Sequence, residues 1–102
     1  MNDYICARPI HPGEVLKDEI EYRGISQREL ATRMGVSYKM LNNILNGHRP
    51  VTDAMALMFE AALDVPACSL INIQSEYTLR AITQDKALAA RLAKIRATVA
   101  AL

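Results

Sequence analysis

The sequence predicts an all-α protein, and three observations support this. Apolar residues make up 51% of the 102 residues and aromatic residues only 5%, a balance that favours helices over sheets. Apolar residues recur at helical spacing along the chain. Small polar residues stand immediately before several of these apolar segments, where helix caps belong. A chain of this length forms one small domain, so any function must lie on its surface or at an assembly interface.

The first two predicted helices begin and end at clear signals. Pro12 suits the first turn of helix one, and Gly24 ends that helix. Ser26 and Glu29 have the spacing of a capping box at the start of helix two, which ends at Gly35. The inward-facing residues are Val15, Leu16 and Ile20 in helix one and Leu30, Ala31 and Met34 in helix two.

Helices three and four follow the same pattern. Ser37 caps helix three, and the Asn46-Gly47 pair closes it. Thr52 caps helix four, which has the most regular amphipathic pattern in the chain. The apolar stripes are Leu41, Ile44 and Leu45 in helix three and Met55, Met58, Phe59, Ala62 and Leu63 in helix four.

Two further helices complete the prediction. Pro66 opens helix five, which runs through "ACSLINIQSEYTLRAI", and the region from Thr83 to Asp85 breaks it. A last helix runs from about Lys86 to the end. We therefore expect a compact five-helix domain over residues 1–83 and an additional amphipathic helix over residues 84–102.

The close spacing of helices two and three predicts a helix-turn-helix unit over residues 26–46. A connection as short as Gly35 and Val36 forces the two helices to cross steeply. In such a unit the second helix projects into the major groove of DNA. The residues opposite its apolar stripe are then candidates for base contacts: Tyr38, Lys39, Asn42 and Asn43. The alternative is that these side chains only solvate an exposed helix face.

The chemistry of that face suits DNA. Lys39 can donate to guanine or to phosphate, Asn43 can pair with adenine, and Tyr38 offers a ring to a thymine methyl group. The phosphate contacts are predicted at the edges of the unit, from Gln27, Arg28, His48 and Arg49.

Several other classes of function find no support in the sequence. His11 and His48 lack partners at metal-ligand spacing, and we find no nucleophile motif or phosphate-binding loop, so we expect no catalytic site, metal or cofactor. The distant Cys6 and Cys68 are expected to be reduced packing thiols in a cytoplasmic protein. No secretory signal or membrane-spanning run is evident. The net charge of +1 argues against general stickiness towards nucleic acid.

The motifs resemble a known family. "HPGEVLKDEI", "GISQRELATRMGVSYKMLNNILNGHRPVT" and "SLINIQSEYTLRAI" are similar to segments of the HigA/VapI antitoxins, which are Xre-type helix-turn-helix proteins. The resemblance covers roughly residues 9–82. It implies a compact five-helix, lambda-repressor-like fold, a homodimer that binds operator DNA and represses its own operon, and neutralisation of a HigB-like toxin that cuts messenger RNA. The alternatives are a stand-alone dimeric repressor without a toxin, and an interaction module that no longer binds DNA.

Two segments are candidates for the dimer contact, because specific operator binding normally requires two half-sites. Helix five carries more apolar surface than one face needs: Leu70, Ile71, Ile73, Tyr77 and Leu79. The last helix has a heptad-like stripe of Leu88, Leu92, Ile95, Val99 and Leu102. This helix either packs on its own domain, joins two copies or contacts the toxin, and its basic polar face favours self-association over a basic toxin. The N-terminal "MNDYICAR" is another candidate for partner contact.

Overall fold

The computed structural model describes residues 9–101, and the predicted all-α fold is confirmed over this range. Cys6, the N-terminal segment "MNDYICAR" and Leu102 lie outside the described residues. The six helices of the described part are α1 (Pro12–Arg23), α2 (Gln27–Met34), α3 (Tyr38–Leu45), α4 (Asp53–Leu63), α5 (Ala67–Ile82) and α6 (Lys86–Ala100). None of them is long and apolar enough to span a membrane.

The predicted caps position the helices. The hydroxyls of Ser26, Ser37 and Thr52 each accept a hydrogen bond from the backbone N–H three residues later, which satisfies a donor that the helix itself leaves unpaired. The capping box predicted at Ser26 is only half formed, since the Glu29 carboxylate pairs with Arg33 at 3.3 Å.

The core lies between α1 and the four helices that follow it. Phe59 of α4 is its largest wholly buried side chain, and α4 packs against both α5 and α2. The other buried apolar residues are Leu16, Ile20, Leu30, Ala31, Leu41, Ile44, Leu45, Val51, Met55, Ala56, Leu63 and Leu70. The predicted stripes of α2, α3 and α4 therefore face inward, but Val15 was wrongly placed, since it is exposed at the edge of the α1 stripe.

Helix α1 begins directly against the end of α3. A Cβ atom added to Gly13 would lie 2.2 Å from the carbonyl oxygen of Ile44 and 2.9 Å from that of Leu45, distances far shorter than any van der Waals contact. Glycine at this position is therefore what allows the two backbones to approach so closely. This contact fixes the orientation of α3 relative to α1.

Helix α6 differs from the other five. None of its residues is buried, and Asp85 caps its start by accepting hydrogen bonds from the backbone N–H groups of Ala87 and Leu88. The described part of the chain measures 56 × 28 × 20 Å and its radius of gyration is 17.2 Å, well above the roughly 12–13 Å of a compact domain of this length. Helix α6 therefore extends away from the core.

The predicted dimer surface on helix five needs one correction. Leu70 is wholly buried in the core of its own chain, so its side chain has no surface to offer a partner. Ile71, Ile73 and Tyr77 are half-buried, and Leu79 is exposed. On α6, Leu88 and Leu92 are half-buried, while Ile95 and Val99 are exposed.

Candidate nucleic-acid interface

The turn between α2 and α3 has the geometry of a rigid helix-turn-helix. Gly35 ends α2 in the left-handed conformation, with φ of 69°, which residues with a side chain adopt only at a cost. The Val36 N–H donates to the carbonyl of Ala31 at 3.1 Å, and the Val36 side chain packs against the core. The turn is thus held by the backbone hydrogen bond of Val36 and by the packing of its side chain.

The structure places the four predicted base-contacting residues on the side of α3 away from its buried stripe. Tyr38 and Lys39 are exposed, whereas Asn42 and Asn43 are half-buried. Among residues 9–101 no hydrogen bond engages the side chains of Lys39 or Asn43. Their donors and acceptors are available to a ligand.

Asn42 differs from its neighbour because both ends of its amide are engaged. Its Nδ2 donates to Gln27 Oε1 at 2.9 Å, which joins α3 to α2. Its Oδ1 accepts from Asn46 Nδ2 at 3.1 Å, and Asn46 Oδ1 in turn accepts from Lys17 Nζ at 2.7 Å. This chain of side chains crosses three helices and orients Gln27 at the start of α2.

Two of the predicted contacts lie directly against one another. The guanidinium carbon of Arg28 lies 4.6 Å from the centre of the Tyr38 ring, a distance typical of a cation–π contact. The exposed cation is therefore held over the first turn of α3. A residue predicted to bind phosphate and one predicted to contact bases thus form a single surface.

The electrostatics of the α2–α3 region are more favourable to DNA than the net charge suggests. From residue 30 to residue 52 the sequence contains no Asp or Glu, while Arg33, Lys39 and Arg49 fall within it. The protein is close to neutral overall, but this segment is basic. Among residues 9–101 no group of His, Cys, Asp or Glu is suited to hold a metal ion.

The turn after α3 exposes His48 and Arg49, and its position depends on α5. The carboxamide oxygen of Gln74 accepts a hydrogen bond from the Val51 N–H at 2.8 Å. The His48 N–H donates to the Asn43 carbonyl at 2.8 Å. These bonds fix the backbone of the turn from which both exposed side chains project.

The side chain of His11 helps to hold the same turn in place, a role that the sequence analysis did not predict. Its ring Nδ1 accepts from the Gly13 N–H at 2.9 Å, and its backbone N–H donates to the Glu14 carboxylate at 3.3 Å. The two bonds form a reciprocal cap of α1. The ring also hydrogen-bonds to the backbone of Arg49 and lies edge-on to Tyr77, with 4.9 Å between ring centres. The "HPGE" sequence indicated the capping role of His11, because a cap residue followed by Pro and then Glu marks a helix start.

Folding is expected to become less favourable in mild acid because of His11. Burial lowers the pKa of this imidazole below its ordinary 6.5, and the hydrogen bond to Arg49 and the charge of Glu14 oppose the shift only in part. The unfolded chain therefore binds the proton more readily than the folded chain. The stabilisation is complete above pH 6.5 and is lost as the pH falls from there towards the folded-state pKa, by at most about 1.4 kcal/mol per pH unit.

Urea unfolding of the wild-type protein and of His11→Asn at several pH values measures this effect, since Asn can cap a helix but does not titrate. We expect His11→Asn to flatten the pH dependence. An equal slope in the wild type and in His11→Asn would contradict the assignment.

Comparison with known proteins agrees with this geometry. The family model described as helix-turn-helix matches residues 16–70. The chain is 36% identical over 78 residues to virulence-associated protein I of Dichelobacter nodosus, covering 76% of this chain and 72% of that protein.

Solved structures give the same result. The Pseudomonas aeruginosa antitoxin HigA with the higBA promoter is 36% identical, with a TM-score of 0.72, over 86% of this chain and 91% of that chain. PA4674 of the same organism, in complex with a 28 bp operator DNA, is 38% identical, with a TM-score of 0.69, over 74% of this chain and 84% of that chain. The family match ends at residue 70, so α6 lies outside it.

Proposed function

The chain belongs to the Xre-type helix-turn-helix family, among the HigA/VapI proteins, and from this premise we propose that it is the antitoxin of a type II toxin–antitoxin module. As a homodimer it binds the operator of its own operon and represses transcription, and it neutralises an mRNA-cleaving, HigB-like toxin. The family that the sequence motifs resemble is confirmed by these comparisons. The family consists of DNA-binding proteins, which agrees with the expectation that the chain is not an enzyme.

One observation carries the proposal: the outer face of α3 is polar, free of acidic residues and locked in orientation. An exposed helix that served only to solvate the surface would not require the cross-helix bond between Asn42 and Gln27 at 2.9 Å. In a DNA-binding helix, by contrast, rigid placement determines which bases the side chains meet. Relatives whose structures include promoter or operator DNA support the same function.

The proposed roles follow from which side chains are available. Tyr38, Lys39 and Asn43 contact base edges in the major groove. Asn42, predicted from sequence to contact bases, is better suited to hold Gln27 against the phosphate backbone. The remaining phosphate contacts are proposed for Arg28, His48 and Arg49.

A homodimer is part of the proposal because one helix-turn-helix makes few contacts, and two half-sites multiply them. The candidate dimer residues that the single chain leaves at least partly accessible are Ile71, Ile73 and Tyr77 on α5 and Leu88, Leu92, Ile95 and Val99 on α6. Helix α6 has no buried residue in the single chain, which supports a role in assembly.

A growth assay tests the antitoxin role. The small open reading frame next to this gene is induced alone and then together with this protein. Growth arrest that co-expression relieves would support neutralisation. If the neighbouring product is harmless, or arrest persists although this protein is soluble, the toxin partner is refuted. Footprinting of the operator then decides whether the chain is a stand-alone repressor.

Arg49 is expected to contribute affinity for DNA without sequence preference. Arg49→Ala should weaken binding to all DNA sequences alike, because the lost contact is to phosphate. The slope of log K against log salt should flatten by about one unit per protomer, and so by about two for a dimer. Fluorescence anisotropy on operator and random duplexes over a salt series measures both quantities. Arg23→Ala, at the far end of α1, is the charge-matched control, and a loss confined to the operator would contradict the phosphate role.

A further inference from the structure

Helix α6 has two properties that together indicate that it binds another surface. It carries Lys86, Arg91, Lys94 and Arg96 and no acidic residue. It also exposes an apolar stripe, with Ile95 and Val99 more than half accessible. At about 22 Å in length, it presents a long basic and apolar surface that its own core does not cover.

A surface that complements α6, apolar with acidic residues beside it, lies in a cleft between α4 and α5, here called the α4–α5 cleft. It is open to solvent and has a volume of about 290 Å³, and it is lined in part by Leu57, which is 60% exposed. The lining residues are Asp53, Leu57, Ala67, Cys68, Ile71 and Asn72. This cleft is apolar and has no occupant among residues 9–101.

Two acidic residues of α4, here called the acidic rim, lie at the α4–α5 cleft: Asp53 lines it, and Glu60 bonds to Ala67, which also lines it. Asp53, Leu57 and Glu60 are spaced 4 and 3 residues apart, which places them on one face of α4. The Glu60 carboxylate accepts from the Ala67 N–H at 3.1 Å, so it lies where α5 begins. Helix α4 contains no basic residue.

We propose that α6 of one copy docks in the α4–α5 cleft of a second copy, and reciprocally, so that two equal contacts form the homodimer. The inference deepens the homodimer of the proposed function and rests on it. The apolar stripe of α6 covers Leu57 and Ile71, and the basic residues that flank the stripe face the acidic rim.

Charge argues against the simpler, parallel pairing of α6 with α6 of a second copy. Arg91 precedes Leu92 and Arg96 follows Ile95, so both flank the apolar stripe. In a parallel pair of identical helices the Arg91 of one would face the Arg96 of the other, and like charges at these positions repel. An acidic groove removes this conflict.

The distances suit a reciprocal exchange. Helix α5 is 16 residues long, about 24 Å, which separates the start of α6 from the cleft of its own copy. In the proposed dimer the two-fold axis is perpendicular to α5, so the two α5 helices lie antiparallel and the end of one lies beside the start of the other. Each α6 then begins next to the cleft of its partner. Leu79 and Ile82, both exposed near the end of α5, gain cover in the same contact.

Charge exchange tests the proposal. Asp53→Arg with Glu60→Arg reverses the rim, and Arg91→Glu with Arg96→Glu reverses α6. Each double variant should weaken dimerisation by about tenfold or more, since like charges then oppose each other, and the combined quadruple variant should restore it. Lys86→Glu with Lys94→Glu changes the same charge away from the stripe and should leave the dimer intact. Sedimentation equilibrium of the full chain measures the dissociation constants, and circular dichroism checks the fold.

A second pair of variants removes the apolar contact instead of the charges. Leu57→Arg should weaken the dimer, whereas Tyr22→Arg, at an exposed residue of α1, should not. A wild-type dimer that all these variants leave unchanged overturns the α6 contact while the homodimer stands. A wild-type chain that stays monomeric, both alone and on operator DNA, overturns the homodimer as well.

Discussion

Gly13→Ala is expected to lower the free energy of unfolding by about 3 kcal/mol, the upper end of the usual range for overpacked sites. The added methyl group would lie 2.2 Å from the Ile44 carbonyl oxygen. That atom belongs to the backbone of α3 and cannot rotate away as a side chain can. Helices α1 and α3 must therefore separate, and the packing between them is lost.

Urea unfolding of Gly13→Ala and Gly24→Ala measures this effect. At Gly24 an added Cβ meets nothing within 4 Å, so that variant carries only the strain of a left-handed backbone, about 1–2 kcal/mol. Gly13→Ala should also shift α3 and reduce operator affinity under conditions where the protein is fully folded. If the two variants lose the same stability, the close approach of α1 and α3 does not constrain the fold.

The positions of the helices could be predicted from the sequence because their signals are local. A cap such as Ser37 acts on a donor three residues away, and Gly35 ends α2 through its own backbone. The same locality explains why α6 was found with the correct start after the break at residues 83–85. Period and caps determine where a helix lies along the chain.

Which face of a helix turns inward is a tertiary property, and there the prediction was partly wrong. Helix α5 is apolar on several sides, so spacing alone does not distinguish Leu70, which is buried, from Ile71, which is half-buried. Only the contact of α4 with α5 decides between them. Leu70 was therefore assigned to the dimer contact, although its side chain is buried in the core of its own chain, together with Phe59.

Long-range polar contacts were the other feature that the sequence did not supply. Asn42 and Gln27 are 15 residues apart, and Lys17 and Asn46 are 29 apart. Composition and spacing identify such residues as polar and exposed, but they cannot show that two of them bond to each other. The set of candidate DNA contacts was therefore predicted, whereas the division between contacting and positioning residues required the fold.

That division makes Asn43 the sharper test of base recognition. Asn43 and Asn42 are neighbours with the same side chain, and both are half-buried. The amide of Asn42 is engaged at both ends, whereas no hydrogen bond among residues 9–101 holds the amide of Asn43. An amide presents a donor and an acceptor side by side, which matches adenine in the major groove.

Asn43→Ala is accordingly expected to weaken operator binding by about 2–6 kcal/mol, because a bidentate contact worth about 1–3 kcal/mol is lost in each of two half-sites. The loss should concern one base pair per half-site. Binding to a set of operators with single base-pair changes measures this, and the variant should be indifferent to a change that the wild type rejects. Gln84→Ala, which removes an exposed amide between α5 and α6, is the control. An equal loss on every sequence would instead assign Asn43 to the phosphate backbone, since only a base contact distinguishes one operator from another.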